Sequence, residues 1–173
     1  PEAVRIVEEW EVTANVFEAL LNTDEEGNLL PGLCQRWEIL EQGRAARLTL
    51  RESVRFHDGT AMTAQDVQAS VERAIRTLEQ DLPPVFAAIE GASELAAGKA
   101  ETLTGVTIVA PDTLDVTLTE SLPIYPSLLT DARAAVAKKG DASSGASTDL
   151  LGTGPVRFGQ RGKGSVTLDK DPD

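Results

Sequence analysis

A single cysteine and a single histidine serve a chain of 173 residues. Cys34 has no second cysteine to pair with, so an intrachain disulfide is excluded, and one thiol points to no particular redox compartment. His57 alone excludes a multi-histidine metal site within the chain. Aromatic residues make up only 4%, so the core has to be built from Ala, Val, Leu and Ile. The aromatic walls on which small-molecule pockets rely are correspondingly scarce. Basic residues are short too: 16 Lys and Arg stand against 28 Asp and Glu, a formal net charge of -12. So acidic a chain, with no clustered basic stripe, is a poor binder of nucleic acid or of anionic membranes. The plain reading of the charge is solubility; the sharper one is attraction of cationic ligands, which net charge alone does not establish. No apolar run approaches the ~20 residues of a membrane span. Pro1 opens directly in a polar segment, without Met or a signal peptide, as in a piece cut from a longer polypeptide.

What is present is an ordinary globular balance, 41% apolar and 25% charged, in a length that suits one well-cored domain or one domain plus pieces of another. Val12, Val16, Ala19 and Leu20 have helical spacing and predict a helix over Val12 to Leu21. Trp37 to Leu40 reads as a strand, followed by a turn at Glu41-Gln42-Gly43. Ala46, Leu48 and Leu50 then alternate with Arg47, Thr49 and Arg51, and Val54 and Phe56 resume the buried parity. Period two of this kind means a strand with one wet face. Thr63-Ala64-Gln65-Asp66 resembles a capping box, opening a helix whose stripe is Val67, Val71, Ala74, Ile75 and Leu78. Glu72 and Arg76 form an i,i+4 pair on its polar side, and Pro83-Pro84 ends it.

Shorter helical pieces are expected at Val85 to Ile89 and Ala92 to Ala97. Val106 to Leu118 reads as a hairpin turning at Pro111-Asp112-Thr113. Pro123 and Pro126 introduce a helix over Ser127 to Lys138. Gly140 to Asp149 is an aperiodic loop and the best boundary, and Val156 to Leu168 is a second hairpin around Arg161-Gly162-Lys163-Gly164. Trp37, Leu48, Leu50, Phe56, Val67 and Val71 are expected in one core.

Four places invite a chemical reading. His57-Asp58 could be a metal pair or an acid–base couple, but no nucleophile or orienting third group accompanies it. A turn explains it better, with Asp58 as an Asx-type cap and Gly59 supplying positive φ. Gly159 to Ser165 resembles a phosphate loop only superficially, since Gly164 separates Lys163 from Ser165 and a strand follows. Cys34, between Leu33 and Trp37, reads as a small buried residue and not as a nucleophile. Gly152-Thr153-Gly154-Pro155 reads as a tight backbone re-entry before a strand, with ligand contact as the alternative.

Several of these segments, in this order, resemble the family 5 extracellular solute-binding proteins, the oligopeptide, dipeptide and nickel receptors of ABC importers. Leu30 to Glu38 resembles that family's "P-x-LA-x-x-W" stretch, with Cys34 in place of Ala. Leu48 to Thr60 resembles its "LR-x-x-V-x-FHDG" signature, and Thr63 to Val67 the following "TA-x-DV" helix start. Gly152 to Pro155 resembles its "GTGPY" block, with Val156 for Tyr, and Asp171-Pro172-Asp173 the start of "NPDYW".

The resemblance implies an α+β fold with a mixed, mostly antiparallel sheet and packed helices, part of a type II-like periplasmic binding protein. It implies an incoming segment of the first ligand-binding lobe at 1–19, an accessory scaffold subdomain at 20–146, and return strands to the first lobe at 147–173. It further implies a periplasmic or extracellular, membrane-anchored receptor that delivers a peptide or another small solute to an ABC permease. No catalytic residue, metal site or cofactor follows from it, and no ligand-contacting residue is carried over. A ligand-sensing domain of a regulatory protein and a nickel or metal-chelate receptor are the rival readings; a hydrolase would need a nucleophile–base pair that the sequence does not offer.

Overall fold

In the computed structural model the described residues are 14–79, 81–139, 150–162 and 165–170. A short ribbon pairs β1 (Leu21–Thr23) with β2 (Leu29–Pro31). Strands β3 (Cys34–Leu40) and β4 (Ala45–Leu50) follow, then the long helix α1 (Ala64–Leu78) and the one-turn helices α2 (Pro84–Ala87) and α3 (Ala92–Ala96). Next come β5 (Val106–Ala110), β6 (Thr113–Thr117), the single turn α4 (Tyr125–Leu128) and the two-residue strands β7 (Lys138–Lys139) and β8 (Leu150–Leu151). A hairpin of β9 (Val156–Gly162) and β10 (Ser165–Lys170) ends the described chain. The arrangement is α+β, and the described strand pairs are antiparallel.

The central sheet runs β3-β4-β6-β5. Its register aligns Trp37, Leu48, Leu114 and Ile108 in one row across all four strands, with Ile39, Ala46, Val116 and Val106 in the next. These rows make the inner face, with Ile39 left exposed on the edge strand. On the outer face Arg47 lies directly opposite Asp115 and donates to it from Nε at 2.7 Å and Nη2 at 2.8 Å, a bidentate pair of the geometry guanidinium favours. The period-two reading of β4 therefore holds, with Ala46, Leu48 and Leu50 buried. The strand stops at Leu50, however. Ser53 takes a positive φ of 62°, and Arg55 and Ala61 form an isolated bridge. Phe56 is buried and Val54 partly so.

Helix α1 begins as expected. Asp66 accepts from the Thr63 backbone N–H at 2.8 Å and from its hydroxyl at 2.7 Å; the first of these bonds occupies a backbone donor that the helix itself leaves unpaired. Val67, Ala74 and Ile75 are buried, while Val71, Leu78 and Trp37 are only half-buried against the core. The helix ends at Leu78, before Pro83-Pro84, with Glu79 at φ 51°; Pro84 instead opens α2. Glu72 and Arg76 do not pair with each other. Glu72 accepts from the Leu103 N–H at 2.8 Å and Arg76 donates to the Glu101 carbonyl, so both tie α1 to the loop before β5.

Two expected helices form only in part among the described residues. Pro1 to Thr13 lie outside the described residues, 14–16 form one helical turn, and Leu21 is already in a strand. Over Ser127 to Lys138 only α4 and a 3-10 turn at Ala132–Ala134 form before β7. The reason is tertiary in both. Backbone groups that a helix would use internally bond elsewhere: Leu21 N–H to Leu129, the Ala19 and Leu20 carbonyls to Leu33 and Cys34, and Val136 N–H to Glu18. The Gly140 to Asp149 boundary and the Lys163-Gly164 turn lie outside the described residues.

The large core between sheet and helices runs from Leu20 to Val136. A second, smaller cluster is formed by Val16, Phe17, Ala135 and Ala137 with Phe158 against it. The Phe17 and Phe158 rings meet edge-on with centroids 6.1 Å apart.

Candidate functional site

The segment Phe56 to Thr60 forms the turn the sequence predicts. The Gly59 N–H donates to the Phe56 carbonyl at 2.7 Å, and Asp58 Oδ1 accepts from the Thr60 N–H at 3.0 Å and its hydroxyl at 2.6 Å. Gly59 has φ +78°, the left-handed conformation that glycine adopts without strain. Phe56 plugs the turn into the main core.

This turn reaches two distant segments. The His57 N–H donates to the Gly152 carbonyl at 3.0 Å, and its ring Nε2 lies 2.9 Å from the Gly154 carbonyl. A carbonyl only accepts, so Nε2 carries the proton. Lys138, at the start of β7, bonds Asp58 Oδ2 at 3.1 Å and the Thr60 hydroxyl at 2.7 Å, and its ammonium lies 5.6 Å from the centre of the Phe56 ring. Burial pushes the Asp58 carboxyl up, but the Thr60 and Lys138 hydrogen bonds outweigh it and hold the group below the usual carboxylate range.

The Gly152-Thr153-Gly154 stretch is packed where no side chain fits. A Cβ on Gly152 would lie 1.8 Å from the Val16 carbonyl oxygen, and one on Gly154 would lie 2.4 Å from that of Asn15. The Gly154 N–H donates to Val16 at 3.0 Å. The glycines serve a close backbone crossing, as the re-entry reading expects. Between them the Thr153 hydroxyl is buried without a hydrogen-bond partner.

The arrangement positions chain segments, and among the described residues it brings no nucleophile and base together. Cys34 is buried, its Sγ donates to the Arg36 carbonyl at 2.9 Å, and burial pushes its thiol up to about 11, the opposite of an activated thiolate. His57 and Cys34 are each committed to backbone carbonyls. Among the described residues no group of three His, Cys, Asp or Glu side chains converges as a metal site. An open cavity of about 370 Å³ lies beside the smaller cluster, lined by Phe17, Glu18, Asn22, Thr130, Ala135 and Pro155 among others. No described helix is long and apolar enough to cross a membrane. The sequence marks His57-Asp58 as a turn but carries no local sign of its partners, Lys138 and the two glycine carbonyls, which lie 80 to 97 residues away.

The family model of bacterial extracellular solute-binding proteins, family 5 Middle, matches residues 28–173. The chain belongs to that family. It is 31% identical over 144 residues to the probable deoxycholate-binding periplasmic protein YgiS of Escherichia coli, covering 78% of this chain and 27% of that protein. To the periplasmic murein peptide-binding protein MppA of the same organism it is 32% identical over 141 residues, covering 79% of this chain and 26% of that one. The solved structure of Escherichia coli MppA superposes with a TM-score of 0.79 at 27% identity, over 97% of this chain and 35% of that chain. The chain thus spans about a quarter of the length of these curated relatives.

Proposed function

We propose that this chain is the scaffold part of a receptor that captures a peptide or another small solute outside the membrane and hands it to an ABC permease, without performing chemistry on it. The observation that carries the reading is the likeness to MppA, which extends over 97% of the chain in structure and joins a family match over residues 28–173. MppA is a murein peptide-binding protein and YgiS a probable deoxycholate-binding one, which supports a peptide or another small solute as the cargo. Membrane anchoring of the complete polypeptide belongs to the same proposal. Within the chain, 20–146 acts as the accessory scaffold subdomain, and 1–19 with 147–173 belong to the first ligand-binding lobe. The smaller hydrophobic cluster supports this division, because Val16, Phe17 and Phe158 come from the flanks and meet the scaffold range only at its end, through Ala135 and Ala137.

Cleft receptors gain affinity by enclosing most of the ligand surface, by hinge closure of two lobes. The test is calorimetric titration of the complete polypeptide carrying this chain, and of the chain alone, with a library of di- to pentapeptides and with deoxycholate. The complete polypeptide is expected to bind at least one of these saturably, in the micromolar range or tighter, and the chain alone none. Binding by neither refutes the receptor reading; micromolar binding by the chain alone refutes the scaffold assignment.

A further inference from the structure

Strands β7 and β8 have two residues each and only two paired positions, too little ladder to be stable alone. The re-entry that follows them has glycine at 152 and 154, where close approach to Val16 and Asn15 leaves no room for side chains. Anchorage for this crossing therefore has to come from elsewhere in the fold. Ser70, Arg73 and the 16–18 backbone hold Ala137, Val136 and Gly154, and one tight turn ties both sides of the crossing to the sheet: His57 grips two carbonyls of the re-entry, while Asp58, Thr60 and the Phe56 ring receive Lys138 of β7.

We propose that the turn Phe56 to Thr60 is a latch that fastens the β7–β8 crossing and the Gly152–Pro155 re-entry to the central sheet, with His57 as its positioning residue. His57 suits the role because its backbone and ring donors, both from one residue, fix alternate carbonyls of the incoming chain. That sets the register of the re-entry as well as its distance. Lys138 closes the other side through an ion pair and a hydroxyl, both at the surface, so its share is smaller than that of the partly buried imidazole. The latch is a property of this chain and stands independently of which solute the complete receptor takes.

Amide hydrogen exchange on the full chain tests it, comparing the wild type with His57→Leu, His57→Gln and Lys138→Met. The Gly154 and Ala137 amides report on the crossing, since they donate to Val16 and to Ser70 Oγ respectively. The Leu50 and Thr117 amides, which donate to Asp112 and Gly105, report on the central sheet. In His57→Leu, exchange at Gly154 and Ala137 should accelerate about tenfold, with less than about a twofold change at Leu50 and Thr117. His57→Gln places an amide N–H near the lost Nε2 donor and should return Gly154 to within about threefold of wild type. Equal acceleration at all four amides, or none at Gly154, overturns the latch. Should His57→Leu fail to fold, Lys138→Met decides, with selective acceleration at Ala137 expected and a uniform or absent effect refuting the proposal.

Discussion

Leu48 stands at the centre of the inner face, and its truncation gives the most quantitative test of the fold. It is fully buried, with Trp37 beside it on β3 and Leu114 on β6 in the same register row. Leu48→Ala removes an isopropyl group, and the lost transfer free energy is about 2–2.5 kcal/mol at ~0.8 kcal/mol per carbon. A cavity term adds to it at ~24 cal/mol per Å³ of unfilled space. Collapse into that space is resisted because β4 is hydrogen-bonded on both sides, so neither neighbouring strand closes in without breaking its ladder. A residual void of about 50 Å³ would contribute ~1.2 kcal/mol, for a total of about 3.5 kcal/mol, inside the usual Leu→Ala range. Against a typical domain stability of about 5–15 kcal/mol this is a large fraction. With a urea m-value of about 2 kcal/mol/M, the midpoint should fall by roughly 1.5–2 M at unchanged m. Thr49→Ala, one residue along on the outer face, should move it by less than about 0.3 M. Equal shifts for the two variants, or no shift for Leu48→Ala, would mean that the inward face of β4 has been misassigned.

Gly152→Ala should cost about 3 kcal/mol or more by urea titration, because the new Cβ would meet the Val16 carbonyl. Gly59→Ala, with open space around it but positive φ, should cost only about 1 kcal/mol; the reverse order would contradict the crossing geometry. Cys34, buried with its thiol pushed up to about 11, should resist an aromatic disulfide reagent in native buffer near neutral pH and react fully in urea; immediate native labelling would count against its burial. Asp58 has a depressed carboxyl pKa, so its stabilisation is present above the unfolded value and lost as pH falls through the folded one. Asp58→Asn should therefore be less stable than wild type at neutral pH, with the gap narrowing below about pH 4. A gap that stays constant or widens on acidification would exclude that linkage.

The readings that held rest on interactions between near neighbours in sequence. The β4 parity, the Thr63–Asp66 cap and the positive φ of Gly59 are each decided within a few residues, where alternation, capping and turn chemistry act. Val12 to Leu21 and Ser127 to Lys138, only partly helical among the described residues, have apolar spacing compatible with a helix, yet their backbones bond to each other's neighbourhoods: Leu21 to Leu129, and Glu18 to Val136. Such pairings override local propensity and leave no mark on either segment alone. Glu72 and Arg76 show the same limit for side chains. Their spacing permits a pair worth only ~0.3 kcal/mol, and unpaired backbone groups at Leu103 and Glu101 outcompete it.

The candidate site was half legible for a related reason. Local chemistry suffices to make His57-Asp58-Gly59 a turn, since Asp58 caps it and Gly59 supplies the conformation. Those needs explain Asp58 and Gly59 but not His57, whose ring contributes nothing to reversing the chain. The surplus residue is the one that reaches furthest, to Gly154 across 97 positions. Likewise two glycines in Gly152-Thr153-Gly154 exceed what a simple turn needs, and both face backbone of the 15–16 segment. A residue whose chemistry exceeds its local task is thus the sequence's trace of a distant contact. Here the imidazole and the paired glycines mark two contacts of the same re-entry, one with the His57 turn and one with the 15–16 backbone.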